Sequence, residues 1–471
     1  MNHDPALATQ LALELTDLDW ITDPQRVARL SQDFSWFSPV LKRQLADKRA
    51  DIAVRPRTED EIRRVVAACA RDGVAITLRG SGTGNYGQSV PLHGGVILDL
   101  SGYNAFGWVR EGTGRAQAGI RLADFDRQAQ VHGWELRWLP STFRSATLGG
   151  LFGGGFGGAG SITYGPVAAP GNVLGARVMT VEVEPEVVEL RSPEAMLLHH
   201  TYGTNGVVLE LEAALAPALS WLEFAATFGS FDAALEFSSA LASAPGIVKK
   251  EICFFAAPVP DLMTGLADFL PKGCHAVLLI VAASSQGATL DLLRSFGGAI
   301  TYRKTAEEVK KSNRTLLEYT WNHTSLNAFR VDKGLTYIQS AFDPVRHLEQ
   351  AKALERALAG EVLMHLEFLR NRDGATTCSG LQLIRYSSDQ RLEEIMQIHR
   401  DHGVHINNPH VYVVEDGKQA GLNPAVLEMK ARFDPQGLLN PGKLRGWAAR
   451  ETVLAAAATV PVATAATAAT T

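Results

Sequence analysis

Nine of the 17 residues from Gly149 to Gly165 are glycine. Glycine loses more backbone freedom on folding than any other residue, and ordering a chain costs about 1–2 kcal/mol per residue. The segment is therefore expected to form neither a packed helix nor a packed strand, and some other interaction must offset its ordering. A large, flat, phosphate-bearing ligand lying on bare backbone would do so. A second glycine loop, Gly80-Ser-Gly-Thr-Gly84, precedes it, and 21 of the chain's 43 glycines fall between Gly80 and Gly165. The excess is local, because glycine elsewhere stays near or below its usual share of about 7%.

The first loop tests which phosphate cradle this is. Gly82-Thr83-Gly84-Asn85-Tyr86-Gly87 fits GxGxxG and follows a predicted strand. A dinucleotide fingerprint must then open a helix whose N-terminus meets the pyrophosphate. Here Gln88-Ser-Val-Pro91-Leu-His-Gly94-Gly95 carries a proline and a glycine pair and runs into another strand, which argues against a Rossmann nucleotide site. A Walker loop is excluded, since GK followed by Ser or Thr does not occur. What remains is a nest of exposed backbone N–H groups, which binds anions without a helix, or simply a wide connection between strands.

The surroundings read as ordered elements. Thr58-Glu-Asp-Glu61 is a capping box, Ile62, Val65, Val66 and Cys69 follow at helical spacing, and Gly73 stands where a helix should end. Strands are expected at Val74 to Leu78 and Gly95 to Leu100, which makes a β-α-β start. A strand-rich stretch from Trp108 to Ile120, a helix from Leu122 to Val131, and strands near Val178 to Val188 and Val207 to Leu211 complete this unit. From Trp221 strands and helices alternate, the pattern of helices covering one face of a sheet. The expected division is an N-terminal helical extension (1–49), a ligand-binding domain (50–217), a second α+β domain (218–404), a returning C-terminal segment (405–445) and a disordered tail (446–471). The tail is expected from its low complexity, with nine Ala and five Thr in the last 17 residues.

Composition limits the partners. A formal net charge of −5 argues against nucleic acid, which needs concentrated positive charge. Four cysteines, never as CxxC, indicate neither a zinc knot nor a disulfide framework. No apolar run approaches the roughly 18 residues of a membrane span, and the N-terminus lacks a basic leader, so a cytoplasmic protein without an integral membrane segment is expected.

Taken together, the motifs resemble a known family. Pro56-Arg-Thr-Glu-Asp-Glu-Ile62, Arg79-Gly-Ser-Gly-Thr-Gly84, Gly95-Val-Ile-Leu-Asp-Leu-Ser101, Thr147-Leu-Gly-Gly150 with Tyr164-Gly165, Gly203-Thr-Asn-Gly-Val-Val-Leu-Glu210 and Phe433-Asp-Pro-Gln-Gly-Leu-Leu-Asn440-Pro-Gly-Lys443 occur in the order seen in FAD-linked oxidases of the vanillyl-alcohol oxidase or PCMH type. The resemblance, which includes glycolate oxidases and D-lactate dehydrogenases, implies an α+β fold: a two-lobed PCMH-type FAD-binding domain plus an α+β cap domain with an antiparallel sheet. It implies that Gly80, Ser81, Gly82, Thr83 and Gly84 hold the pyrophosphate. Pro140, Thr147, Gly149, Gly150, Gly157, Tyr164 and Val207 would line the cofactor further along, and Asn440 would approach the isoalloxazine. Covalent members often carry histidine where this chain has Thr83, so FAD is expected to be noncovalent.

Flavin carries the redox step, so the protein must position a C–H bond and manage a proton. Histidine is the natural base, and His399, His402, His405 and His410 crowd into 12 residues. His399 and His402 sit late in a predicted helix and are expected on the surface, where positive charge suits the helix C-terminus. His410 is the first choice as base, with His405 and His365 behind it. The acid branch of the family carries Glu-His-Gly and Gly-Asp-Gly-Asn-x-His; this chain has Pro409-His410-Val411 and lacks the second motif, so no metal site is expected. Arg330, Arg370 and Arg385, in or beside expected cap strands, could hold a carboxylate, and Tyr337 could be a site aromatic. The expected substrate is a small hydroxy compound, foremost a 2-hydroxyacid of the glycolate or D-lactate type. An alcohol, sugar or alditol is the alternative, and a flavin-binding protein without turnover is a third. Electrons would pass to O2, a quinone or another carrier.

Overall fold

The computed structural model describes residues 4–417, 421, 423–447 and 449–450; all but two residues of the expected C-terminal tail that follow Trp447, Arg450 and its neighbour at 449, lie outside them. Residues 50 onward begin as expected. Thr58 Oγ1 accepts from Glu61 N–H at 3.2 Å and Glu61 accepts from Arg57 N–H at 2.7 Å. The helix Glu59–Asp72 buries Ile62, Val65, Val66 and Cys69 and ends on Gly73 at φ +67°. It connects two strands of a small sheet in the order Trp20–Ile21, Ile52–Val54, Val96–Asp99, Ile76–Arg79, whose last three strands are parallel. No helix follows the first glycine loop; the chain runs from Gly80 to the strand Val96–Asp99 through turns.

The second lobe is an antiparallel sheet built around the eleven-residue strand Val207–Pro217, which pairs with Thr113–Gln117, Val173–Met179 and Trp134–Leu136. A core centred on Phe125, Trp138, Phe152 and Phe433 lies under it. The cap is an eight-stranded antiparallel sheet in the order Ala299–Thr305, Trp221–Phe228, His275–Ala282, Lys249–Phe255, His365–Arg370, Thr376–Gly380, Gln339–Ala341, His405–Asn407. Apolar side chains of the helices Phe231–Ser243, His347–Ala357 and Asp389–Asp401 share one core with the sheet.

Three expectations need correction. The glycine-dense segment does contain a helix, Leu148–Gly154, capped by Thr147 Oγ1, which accepts from Gly150 N–H at 3.2 Å. Leu148, Leu151 and Phe152 anchor it in the core. Gly149 lets it lie so close to Ala118 that an added Cβ would stand 2.7 Å from that methyl. The N-terminal 49 residues are not a purely helical extension, because Trp20–Ile21 adds an antiparallel strand to the first sheet. His399 is fully buried rather than on the surface, on the same helix face as Leu392, Ile395 and Met396. Helical periodicity wins there, and its two ring nitrogens meet Ile395 O at 2.7 Å and Gln382 Nε2 at 3.2 Å. His402, next on the chain, is half-buried.

Candidate functional site

The loop after Arg79 is half-buried, and among the described residues no protein group accepts from the backbone N–H groups of Gly80 to Gly84. Such a row of open donors with Gly82 at φ +64° is the nest an anion requires. Its other wall is the second glycine segment. Thr147 Oγ1 approaches Gly80 so closely that a Cβ there would stand 2.1 Å from it, and Ser81 Oγ donates to Ser145 O. Gln88 bridges the two segments: its Nε2 donates to Gly154 O at 2.8 Å, and its Oε1 accepts from Tyr86 N–H at 3.2 Å. Gly153, half-buried, faces open space where a Cβ would meet nothing within 4 Å.

The C-terminal motif closes the cradle. Asp434, buried, accepts from the N–H groups of Leu438 and Leu439 at 2.9 and 2.7 Å and pairs with Lys430. The turn so formed adds to the edge of the first sheet, with Ile76 N–H donating to Leu438 O at 2.8 Å and Asn440 N–H to Ile76 O at 2.7 Å. Asn440 Nδ2 then donates to Gln88 O and Tyr202 O, both at 2.7 Å. Its Oδ1 is buried without a partner. Asn440, Tyr202 and His200 all carry positive φ (42°, 57° and 55°), and such strain concentrates at functional sites. An orphaned buried amide oxygen, open N–H groups and bare glycine backbone fit a flavin dinucleotide.

Beyond the loop, Asn85 Nδ2 donates to Tyr337 Oη at 2.7 Å and Tyr86 Oη donates to Gln339 Oε1 at 2.5 Å, which ties the glycine loop to the cap. Tyr337 packs edge-on to His410, ring centroids 6.0 Å apart. His410 Nδ1 lies 2.8 Å from Ser38 Oγ, while Nε2 is buried without a partner. Burial pushes the His410 imidazole down to about 4, against the pull of the Tyr337 backbone and Asp389, so the ring is neutral at ordinary pH. Burial also raises the Tyr86 phenol to about 12 and those of Tyr202 and Tyr337 further. Lys443, fully buried, donates to Gly87 O at 2.7 Å, and burial lowers its amine to about 7, opposed by Asp33.

The sequence candidates thus divide. Gly80 to Gly84, Thr147, Gly149, Gly150 and Asn440 converge on one cradle, and His410 lies one side chain beyond it. Pro140 and Gly157 flank the second glycine segment, where Leu139 pairs with Ala159 and Gly158 N–H meets Ser161 Oγ at 3.2 Å. Tyr164 lies under the Arg137 guanidinium, 5.1 Å from the ring centroid, and Val207 starts the central strand, fully buried. His405 sits on the edge strand His405–Asn407, with Nε2 3.1 Å from Asn407 Oδ1. His365 is fully buried beside Cys253 and Glu367. Arg330 is exposed at the end of the helix Asn322–Val331, not on a strand. Arg385 is exposed and paired with Asp332 at 3.3 Å, and Arg370 Nη1 donates to Gly374 O at 2.9 Å. Among the described residues, no contact joins these arginines to His410.

Ser38, Asn85, Gln88, Tyr202 and Gln339 were not found from the sequence. Asn85 and Gln88 carry a usable signal, since they immediately follow the glycine loop. Ser38 lies 372 residues from His410, and nothing local marks it.

The pattern of the FAD binding domain family matches residues 50–188. The chain is 25% identical over 439 residues to glycolate oxidase subunit GlcD of Bacillus subtilis (strain 168), covering 86% of this chain and 91% of that one. It is 27% identical over 183 residues to D-lactate dehydrogenase of Anaerostipes hadrus, covering 36% and 37% of the two chains. The solved structure of alkyldihydroxyacetonephosphate synthase superposes with a TM-score of 0.70 at 16% identity, covering 94% of this chain and 85% of that one. A cradle of open backbone donors on two glycine segments, an antiparallel cap, and full-length similarity to a glycolate oxidase subunit make this chain an FAD-linked oxidoreductase of the PCMH type.

Proposed function

We propose that this oxidoreductase removes hydride from the C–H bond of a small hydroxy compound, with His410 accepting the hydroxyl proton. The observation that carries the reading is His410 itself: a neutral imidazole with a buried, unpartnered Nε2, one side chain from the loop that ends in Asn85. Bound FAD supplies the two-electron sink for the substrate hydride. The chain's own part is positional. Residues 80 to 84 and Thr147 hold the diphosphate, Asn440 offers Oδ1 to the ring system, and Ser38 fixes the His410 ring through Nδ1. Tyr337 and Tyr86 exclude water with their rings and present phenols that stay protonated.

The substrate class follows the relatives, so a 2-hydroxyacid of the glycolate or D-lactate type is the leading choice. One observation favours a neutral alcohol, sugar or alditol instead: Arg330 and Arg385 face solvent, and the groups around His410 are neutral. FAD is held without a covalent bond, because Thr83 offers no imidazole to the ring; yellow colour that stays with denatured polypeptide would contradict this. Electrons leave to O2, a quinone or another carrier. No helix among the described residues is long and apolar enough to cross a membrane, and four free cysteines suit a reducing cytoplasm.

The deciding experiment is an anaerobic panel of 2-hydroxyacids and alditols added to the holoenzyme, following loss of the oxidised flavin absorbance. Bleaching by acids supports the first class, by polyols the second, and none by either removes the enzymatic reading. His410→Ala should abolish bleaching while flavin stays bound.

A further inference from the structure

Far from the glycine loops in sequence, two adjacent cap strands bring four ligating side chains together in a dry interior. Cys253 and Glu251 lie on Lys249–Phe255, and His365 and Glu367 on His365–Arg370; all four are at most 3% exposed. Cys253 Sγ is 3.4 Å and Glu367 Oε1 2.8 Å from His365 Nε2, and the three ligand atoms lie within 4.8 Å of one another.

The protons around His365 do not resolve simply. Its Nδ1 faces Leu381 O at 3.1 Å, so that nitrogen carries the hydrogen and Nε2 presents a lone pair. Glu367 Oε1 already accepts from Trp321 N–H at 2.5 Å, and Thr324 Oγ1 spends its proton on Tyr319 O at 2.7 Å. Glu367 Oε2 is buried and receives no hydrogen bond, and Glu251 lies against it. Neither carboxylate pairs with lysine or arginine among the described residues. Lone pairs on nitrogen, sulfur and oxygen therefore converge on a point that lacks a positive charge.

We infer that Cys253, His365 and Glu367 bind a zinc-class divalent cation, with Glu251 completing the shell. The donor set is sulfur, imidazole and carboxylate, which suits zinc. Ligand atoms around tetrahedral zinc stand about 3.3–3.6 Å apart, given bonds of about 2.0 Å to nitrogen or oxygen and 2.3 Å to sulfur. The Cys253–His365 separation already matches, and the His365–Glu367 pair needs to open by about 0.5 Å. Binding releases one proton from the Cys253 thiol and one from the Glu367 carboxyl, so the dication is neutralised by a thiolate and a carboxylate while Glu251 stays protonated. The ion is structural, since no position is open to solvent. It fixes Trp321, whose backbone N–H and indole Nε1 are held by Glu367 and Glu251 and whose ring lies 6.3 Å from that of Phe156 in the second glycine segment.

The test is metal analysis of the holoenzyme expressed in zinc-supplemented medium, with X-ray absorption at the zinc edge. The expected result is close to one zinc per chain and one sulfur neighbour, with at least a tenfold loss of metal in Cys253→Ser and His365→Gln at unchanged flavin content. Less than a tenth of an ion per chain in the wild type overturns the site and leaves Glu251 and Glu367 sharing a proton. A stoichiometric ion without a sulfur neighbour overturns it equally. The wild-type spectrum decides the matter even where a variant fails to fold.

Discussion

Asn85 donates to the Tyr337 hydroxyl at 2.7 Å across 252 residues of sequence. The donor ends the loop that cradles phosphate, and the acceptor belongs to the cap and packs on His410. Ligand binding and proton handling thus share one buried hydrogen bond.

Tyr337→Phe removes the acceptor and leaves a buried amide donor unsatisfied, which costs about 1–3 kcal/mol. The expected outcome is a thermal midpoint lower by a few degrees, with flavin content nearly unchanged and flavin reduction by substrate slowed. Calorimetry and stopped-flow reduction on the same preparation check both halves.

Gly80→Ala should cost the cofactor. An added Cβ would meet Thr147 Oγ1 at 2.1 Å, so the two glycine segments must part and the nest opens. A flavin-to-protein ratio at least tenfold below wild type after gel filtration is expected; full occupancy would show that the cofactor does not use this junction.

Asn440→Ala removes two hydrogen bonds, to Gln88 O and Tyr202 O, and places alanine at φ +42°. Each lost bond contributes about 1 kcal/mol and the left-handed backbone about 1 kcal/mol more. Denaturant unfolding should show a loss of about 2–3 kcal/mol, and Asn440→Gly should recover the backbone part.

The pH profile tests His410. Burial holds the folded imidazole at about 4, so the neutral, proton-accepting form persists well below the usual histidine range. The acid limb of kcat/KM should therefore fall near pH 4; a limb near 6.5 would show that another group accepts the proton.

Acid stability follows from the same physics. His323, His365, His399 and His410 are all lowered by burial, to about 4, 3, 4 and 4. Below pH 6.5 the unfolded chain binds protons that the folded chain refuses, so stability present above 6.5 is lost as pH falls toward 4. Each imidazole contributes a slope of up to about 1.4 kcal/mol per pH unit. Burial raises Glu223, which favours the folded state at low pH and partly offsets the loss. Unfolding midpoints measured from pH 7.5 to 4.5 should decline, and His399→Gln should flatten the decline.

The sequence by itself determined whatever depends on short-range chemistry. The capping box at Thr58, the positive-φ glycines, the absence of a helix after Gly87 and the Asp434 turn are set by neighbours a few residues apart, so the cradle was legible before the fold was known. It also held His410 as a candidate, because a histidine crowded beside Pro409 stands out. Tertiary structure decided the rest. Whether Leu148–Gly154 could be helical depended on Ala118 accepting bare backbone at contact distance. His399 went inside because its helix needed four buried positions on one face. Arg330 and Arg385 went to solvent because a single sequence does not reveal which face of the cap an edge residue takes. Ser38 reached His410, and Cys253 reached His365, only because strands and loops hundreds of residues apart pack together, and no local pattern encodes that meeting.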